Sequence, residues 1–279
     1  MVIAYPAPAK LNLDLRITGK RQDGYHTLQS HMVLIDWCDE VTIAVRHDGV
    51  ICRKTDLPAI GEADDLAIKA AKLLQTRYQV KLGAEIGIKK NIPIGRGLGG
   101  GSSDAATVLL VLNHLWGLEL PRSVLMDLAL SLGADVPFFI FGKSAMAGSI
   151  GEDLKEVQSC AKSWYLVLIP PCAVSTKDAF AWWDEENLTK PRKRKTIMPF
   201  LKNDLQEVVC AHVHEIKIHL EWLGQGGQMT GSGSALFKAF TQKEEALASA
   251  RLLPRKASWV VVQALEQHPL YDFWGVAKR

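Results

Sequence analysis

Apolar and polar residues alternate along the first part of the chain. From Lys10 onward Leu11, Leu13, Leu15 and Ile17 fall on one side and Lys10 and Asn12 on the other, so the spacing predicts a strand over Tyr5 to Thr18. A turn at Arg21 to Gly24 follows, and Tyr25 to Val45 reads as one or two strands joined near Asp36 to Glu40. The amphipathic period of LAIKAAKLLQTRY predicts a helix with Asp64 as its N-cap. AEIGIKK (84–90) is a strand, AATVLLVLNHLW a largely buried helix opening at Ser102, and SVLMDLALSL a third helix ending at Leu132. Beyond Gly151 come a fully apolar strand, WYLVLI (164–169), a short helix over Val174 to Trp183 and a long helix from about Asp204 to Leu223. Met229 to Phe237 reads as a glycine turn plus strand, followed by a helix (Gln242 to Leu252) and a strand (Ser258 to Leu265). This order predicts an α+β protein with domains at 1–150 and 151–279, the second compatible with a ferredoxin-like arrangement.

Composition narrows the class of partner more than the fold. With 279 residues the chain suits two domains of about 100–200 residues each. No run approaches the roughly 18 uninterrupted apolar residues of a membrane span, and MVIAYPAPAK lacks the basic and apolar segments of a secretory signal, so a cytoplasmic enzyme with no membrane partner is expected. The five cysteines, at 38, 52, 160, 172 and 210, are scattered and never paired as C-x-x-C, which predicts reduced thiols. A net charge of +3 does not repel anionic substrates and is too small to imply nucleic-acid binding. The basic run KPRKRK (190–195) contains no aromatic residue and reads as a solvated loop. His212, His214 and His219 suggest a metal at first sight, but residues two apart on a helix point to different sides, so they read as ordinary histidines.

The candidate chemistry centres on NIPIGRGLGGGSSDAA (91–106). Its glycines at 95, 97, 99, 100 and 101 permit positive φ and close approach to a bulky ligand, and they feed the N-terminus of a helix. Free backbone N–H groups there favour an anion, above all a polyphosphate. A Walker loop is excluded, because the only Gly-Lys-Ser (142–144) has Pro137 where its first glycine belongs. Gly95, Gly97 and Gly100 satisfy G-x-G-x-x-G, but another helix, not the parallel strand of a dinucleotide fold, follows. No H-R-D or D-F-G of a protein kinase occurs.

The run from Pro93 to Ala106, P-x-x-x-G-L-G-G-G-S-S-D-A-A, resembles the phosphate loop of the small-metabolite kinases named for galactose, homoserine, mevalonate and phosphomevalonate. Pro8 to Leu13 (PAKLNL), Thr18 to His26 (TGKRQDGYH) and Gly133 to Pro137 (GADVP) resemble the branch of that family acting on a cytidine diphosphate ester of methylerythritol in the non-mevalonate isoprenoid route. The resemblance implies a ribosomal-protein-like ATP-binding domain followed by the ferredoxin-like one, with the last residues packing back on the first domain, in a monomer or weak homodimer. ATP with Mg²⁺ would phosphorylate the 2-hydroxyl of the ester, with Asp135 as general base and Lys10 beside it. Pro93, Gly95, Gly97, Leu98, Gly99, Gly100, Gly101, Ser102 and Ser103 would hold the phosphates, and Ser102 or Ser103 would be the contact for magnesium. Asp65 and Leu66 would lie near the adenine, although the family commonly has Asn where this chain has Asp65. Tyr25 and Phe180 would sandwich the cytosine, His26 would read its edge, and Asn12 and Thr176 would reach the sugar and diphosphate. Gly231, Ser232 and Gly233 resemble the family's second glycine loop. Arg96, where a small residue is usual, either meets phosphate or points to solvent. Two other readings stand beside this one: a kinase of the same fold for homoserine or mevalonate, and a non-catalytic nucleotide- or RNA-binding module.

Overall fold

The computed structural model describes residues 3–58, 60–157, 163–189 and 203–273. The basic run at 190–195 and Cys160 lie outside them. In chain order the elements are β1 (Ala4–Asn12), β2 (Arg16–Lys20), β3 (His26–Arg46), β4 (Ile51–Arg53), α1 (Leu66–Arg77), β5 (Gly83–Lys89), α2 (Gly100–Leu115), α3 (Arg122–Leu130), α4 (Val136–Phe141), β6 (Ala145–Gly148) and β7 (Asp153–Glu156). There follow β8 (Trp164–Ile169), α5 (Thr176–Thr189), α6 (Gln206–His212), α7 (His214–Leu223), β9 (Gln228–Met229), β10 (Leu236–Phe240), α8 (Lys243–Ala250), β11 (Ser258–Gln263) and α9 (Leu270–Phe273).

The first unit is a seven-stranded sheet built on β3, whose 21 residues pair with β1, β2, β5 and β6. The second is a four-stranded antiparallel sheet in the order β11-β8-β10-β9, the interleaving expected of a ferredoxin-like domain. Three cores hold these layers. Helices α1, α2 and α4 cover one face of the large sheet with Ile68, Leu74, Val108, Leu112 and Phe138. The helices of the second unit cover one face of the small sheet, burying Leu166, Leu168, Val209 and Ile216. Between the sheets lies the third core, where Leu11, Val33, Ile35 and Leu98 meet Tyr165, Val167 and Phe237. Each large apolar side chain so buried contributes about 1.5–3 kcal/mol, so this shared core ties the two units into one body. It also explains why WYLVLI carries no polar residue: β8 is covered on both faces.

Several expected boundaries move. The strand expected to run to Thr18 stops at Asn12, because Asp14 turns inward to accept the His31 N–H at 2.6 Å. Asp65, not Asp64, caps α1, taking the Ala67 N–H at 2.9 Å. Helix α2 starts at Gly100, so the last two loop glycines already belong to it. Residues 148–151 form the tip of the β6–β7 hairpin, and the large sheet continues to Glu156. The single helix expected over 204–223 is two, because the β-branched Val213 takes an extended conformation (φ −122°, ψ 86°) between them. His212 stacks on Trp182 and His219 bonds the Glu215 carbonyl, and no group of three metal-ligating side chains is assembled among the described residues. The four described cysteines are free thiols. No helix among the described residues is long and apolar enough to cross a membrane.

Residues 268 to 271 pack against the first unit. The His268 N–H donates to the Gly142 carbonyl at 2.7 Å, the Tyr271 hydroxyl donates to the Ile140 carbonyl, and Arg122 lies over the Tyr271 ring. His268 is fully buried, its Nδ1 accepting the Leu270 N–H, and burial pushes its pKa down to about 3 from the ordinary 6.5. Between those two values the unfolded chain binds a proton there that the native chain does not, so acidification drains stability across that window. His268→Asn keeps the acceptor while removing the titration. Denaturant unfolding of the variant should cost about 1–3 kcal/mol near pH 7 and show a shallower loss between pH 6.5 and 4 than the parent protein.

Candidate active site

A cavity of about 840 Å³ opens where the edge of the core between the sheets gives way to solvent. Its walls are the end of β1, the glycine loop, the turn before α4, the β2–β3 hairpin, helix α5 and the turn at 231–233. Lys10 and Asn12 reach it from the face of β1 opposite Leu11, as the alternation requires. The Lys10 side chain is 4% exposed; its Nζ donates to Asn12 Oδ1 at 2.5 Å and lies 3.4 Å from Asp135 Oδ2. Asn12 is fixed by Ser30 Oγ at 2.8 Å, and its N–H donates to Thr230 Oγ1 at 2.8 Å. Asp135 occupies the cap position of α4 without a capping hydrogen bond, and its side chain is 40% exposed. Its carboxylate lines the cavity, where a ligand can meet it.

The glycine loop is pinned at its root by buried charge. Asp39 accepts the N–H groups of Asn91 and Ile92 at 2.6 and 2.8 Å, and Lys90 donates to both Asp39 and Asp104, the latter in the first turns of α2. Burial pushes the Asp104 carboxyl up to about 7 against the pull of Lys90, while Asp104 and Asp39 outweigh the burial of Lys90 and raise its pKa. Farther along, Gly97 (φ +76°) lies so close to the second glycine loop that an added Cβ would come within 2.6 Å of the Thr230 carbonyl. At Gly99 (φ +73°) a Cβ would strike the Phe139 ring at 2.7 Å beside the Lys10 stem. At these two positions the loop wraps a second loop and a lysine with no space for a side chain.

Gly95, Gly97 and Ser102 line the cavity, whereas Ser103 is buried, which leaves Ser102 as the accessible hydroxyl. The Leu98 side chain belongs to the core between the sheets and its carbonyl accepts the Lys10 N–H at 3.0 Å. Pro93, Gly99, Gly100 and Gly101 support the loop without forming the cavity wall. Asp65 and Leu66 also lie outside the wall; the Asp65 carboxylate is buried, paired with Arg53 at 3.3 Å as well as with the α1 cap. Arg96 meets the second unit. Its Nη1 donates to Ser234 Oγ at 3.0 Å, so the guanidinium straps the glycine loop to the second unit. Gly231, Ser232 and Gly233 line the cavity, with Ser232 Oγ 2.8 Å from Thr176 Oγ1.

On the far wall Tyr25 is 62% exposed, while Phe180 stacks on His26 (centroids 4.7 Å, interplanar angle 17°). The expected pairing of Tyr25 with Phe180 is thus partly occupied by His26. Four contributors escape a reading of sequence alone. Asp184 accepts from His26 Nε2 at 2.7 Å and from Lys20 Nζ at 2.5 Å. Thr230 bonds Asn12, and Asn203 donates to the Met229 and Gly231 carbonyls at 2.8 and 2.7 Å, holding the second loop. Lys177 joins the cavity wall from α5. A signal existed only for Asp184, which follows Thr176 and Phe180 at helical spacing of four.

The family description "GHMP kinases N terminal domain" matches residues 65–143. A 4-diphosphocytidyl-2-C-methyl-D-erythritol kinase from Thiobacillus denitrificans is 47% identical over 276 residues, covering 97% of this chain and 98% of its own. The chain belongs to the 4-diphosphocytidyl-2-C-methyl-D-erythritol kinases. A crystal structure of a kinase of that name superposes with a TM-score of 0.76 at 30% identity, covering 94% of this chain and 99% of the other. The homoserine kinase of Cytophaga hutchinsonii, at 17% identity and a TM-score of 0.69 over 96% of this chain and 95% of its own, shares the fold. The protein is thus a kinase of the GHMP fold, and the non-catalytic reading falls away.

The loop geometry separates two glycines that look alike in sequence. Gly97→Ala should destabilise the kinase by about 1–3 kcal/mol, because its Cβ meets backbone at a positive φ. Gly101, whose added Cβ would meet nothing within 4 Å, should accept Ala with stability unchanged or slightly raised. Thermal unfolding of the two variants side by side provides the comparison.

Proposed function

We propose that this kinase transfers the γ-phosphoryl group of ATP to the 2-hydroxyl of 4-diphosphocytidyl-2-C-methyl-D-erythritol, with Asp135 as general base. The observation that carries this reading is the Lys10–Asp135 pair, 3.4 Å apart, facing the cavity that the glycine loop also lines. Phosphoryl transfer needs positioning and charge neutralisation more than covalent help. The N–H groups at the start of α2 and its dipole supply these for the nucleotide phosphates.

Asp135 takes the proton of the attacking hydroxyl as its oxygen bonds to the γ-phosphorus and the β,γ-bridging bond breaks toward ADP. Lys10 stabilises negative charge on the reacting oxygens and is oriented for that by Asn12. The accessible Ser102 hydroxyl would offer an oxygen ligand to a magnesium ion that arrives on the nucleotide. Such an ion would supply neutralisation of the phosphate charge. Tyr25, His26 and Phe180 receive the cytosine. Asn12, Thr176 and the Gly231 to Gly233 turn face the sugar and diphosphate. Asp65 and Leu66 serve the adenine side through the capped start of α1. The enzyme works on small molecules in the cytoplasm, as a monomer or weak homodimer.

A coupled assay with Mg-ATP tests the reading, offering the cytidylyl ester beside homoserine, mevalonate and galactose; turnover of another alcohol in its place would overturn the acceptor assignment. Asp135→Ala and Lys10→Ala should each lower kcat by about 10²–10⁴ while ATP binding, measured by calorimetry, is retained. Near-normal turnover in either would remove that residue from the mechanism.

A further inference from the structure

Asp184 sits where three elements converge on the cavity. One carboxylate oxygen is 2.7 Å from His26 Nε2 and the other 2.5 Å from Lys20 Nζ, so helix α5 is joined to both strands of the β2–β3 hairpin. Burial works against the carboxylate, but the hydrogen bonds from Lys20 and His26 more than offset it and hold its pKa below the ordinary range. An ionised carboxylate can only accept, so Nε2 of His26 carries the hydrogen. In the neutral ring Nδ1 is then an acceptor, and no hydrogen bond to it is made among the described residues.

The orientation of that acceptor is as constrained as its protonation. The His26 side chain is 7% exposed, lies nearly parallel to Phe180 and has Trp183 against it edge-on (5.7 Å, 84°). A centroid distance of 4.7 Å is an offset stack, so part of the Phe180 face stays open beside His26. His26 and Phe180 both line the cavity, so a flat base stacked on that open part would lie edge to edge with the imidazole, within reach of its acceptor nitrogen. Cytosine presents an exocyclic amine, a donor; uracil presents a carbonyl oxygen in its place and would meet the acceptor with an acceptor.

Building on the cytidylyl reading above, we propose that Asp184 is a positioning residue for base selection: by fixing the tautomer and orientation of His26, it makes Nδ1 an in-plane acceptor that favours cytosine over uracil. Lys20 completes the coordination of Asp184 and takes no part in the selection.

The test compares kcat/KM for the cytidylyl ester and its uridylyl counterpart, together with ¹⁵N NMR of the His26 ring. The parent enzyme should show the Nε2–H form and prefer the cytidylyl ester. Asp184→Ala should populate both tautomers and reduce the preference about tenfold, through the cytidylyl kcat/KM, with KM for ATP held. Asp184→Glu should restore part of the preference, and Lys20→Met should leave both tautomer and preference in place. A preference that survives Asp184→Ala, or an Nδ1–H ring in the parent, overturns the proposal. A parent that turns over neither ester overturns the substrate reading and base selection with it, whatever the tautomer; a parent that prefers the cytidylyl ester while Asp184→Ala does too overturns base selection alone.

Discussion

Between Pro8 and Ala9 the pairing of β1 with β3 slips, because Asp36 and Trp37 of β3 have no partners across the ladder. That irregularity reverses the alternation of both strands. Before it, Tyr5 and Ala7 of β1 face the helices; after it, Ala9 and Leu11 face the second sheet. On β3 the phase changes likewise, from Leu34 to Val41 on the helix side. Without the slip, Leu11 would point at the helices and Lys10 would be driven into the apolar core between the sheets, where an unpaired ammonium is prohibitively costly. With it, Lys10 passes under Gly99, meets Asp135 and Asn12, and its backbone N–H holds the glycine loop.

Fixing the lysine is useful only if the loop is equally fixed, and the loop has little apolar surface of its own. Its stability is borrowed from both sides. At the root, the buried Asp39–Lys90–Asp104 group joins β3, the loop and α2. Such buried charge seldom adds much net stability against an apolar replacement, but losing one partner strands the others, so it specifies one arrangement of the loop. At the tip, Gly97 packs on the Thr230 carbonyl and Arg96 reaches Ser234, both in the second unit. The nucleotide side and the acceptor side of the site are therefore mechanically one object, built across the core that the two sheets share.

The acceptor wall follows a different logic. Helix α5 brings Thr176, Phe180 and Asp184 to the cavity on one stripe, and the β2–β3 hairpin answers with Tyr25 and His26, while Lys20 bonds Asp184 from outside the cavity wall. Here polar contacts across the opening, not deep packing, align the two sides: Asp184 with His26 and Lys20, and Thr176 with Ser232. Few buried apolar contacts at an opening are what ligand entry requires.

Much of this was legible in the residues themselves, and for a local reason. Glycines at 95, 97 and 99 permit the positive φ of a tight loop, the apolar run after it dictates a buried helix, and alternation around Lys10 puts the lysine opposite Leu11; each follows from chain geometry within a few residues. The resemblance of the glycine and D-G-Y-H segments pointed to the family. What sequence could not reveal depends on contacts more than a hundred residues apart. The direction of Arg96 is decided by Ser234, and the partner of His26 by a carboxylate 158 positions away. The exposure of Asp135 is decided by the open cavity it lines, across which it meets Lys10, 125 positions away. Local spacing determines which face of an element a side chain occupies; only the packing of two sheets around a shared core decides what that face meets, because the meeting atoms come from parts of the chain with no local influence on one another.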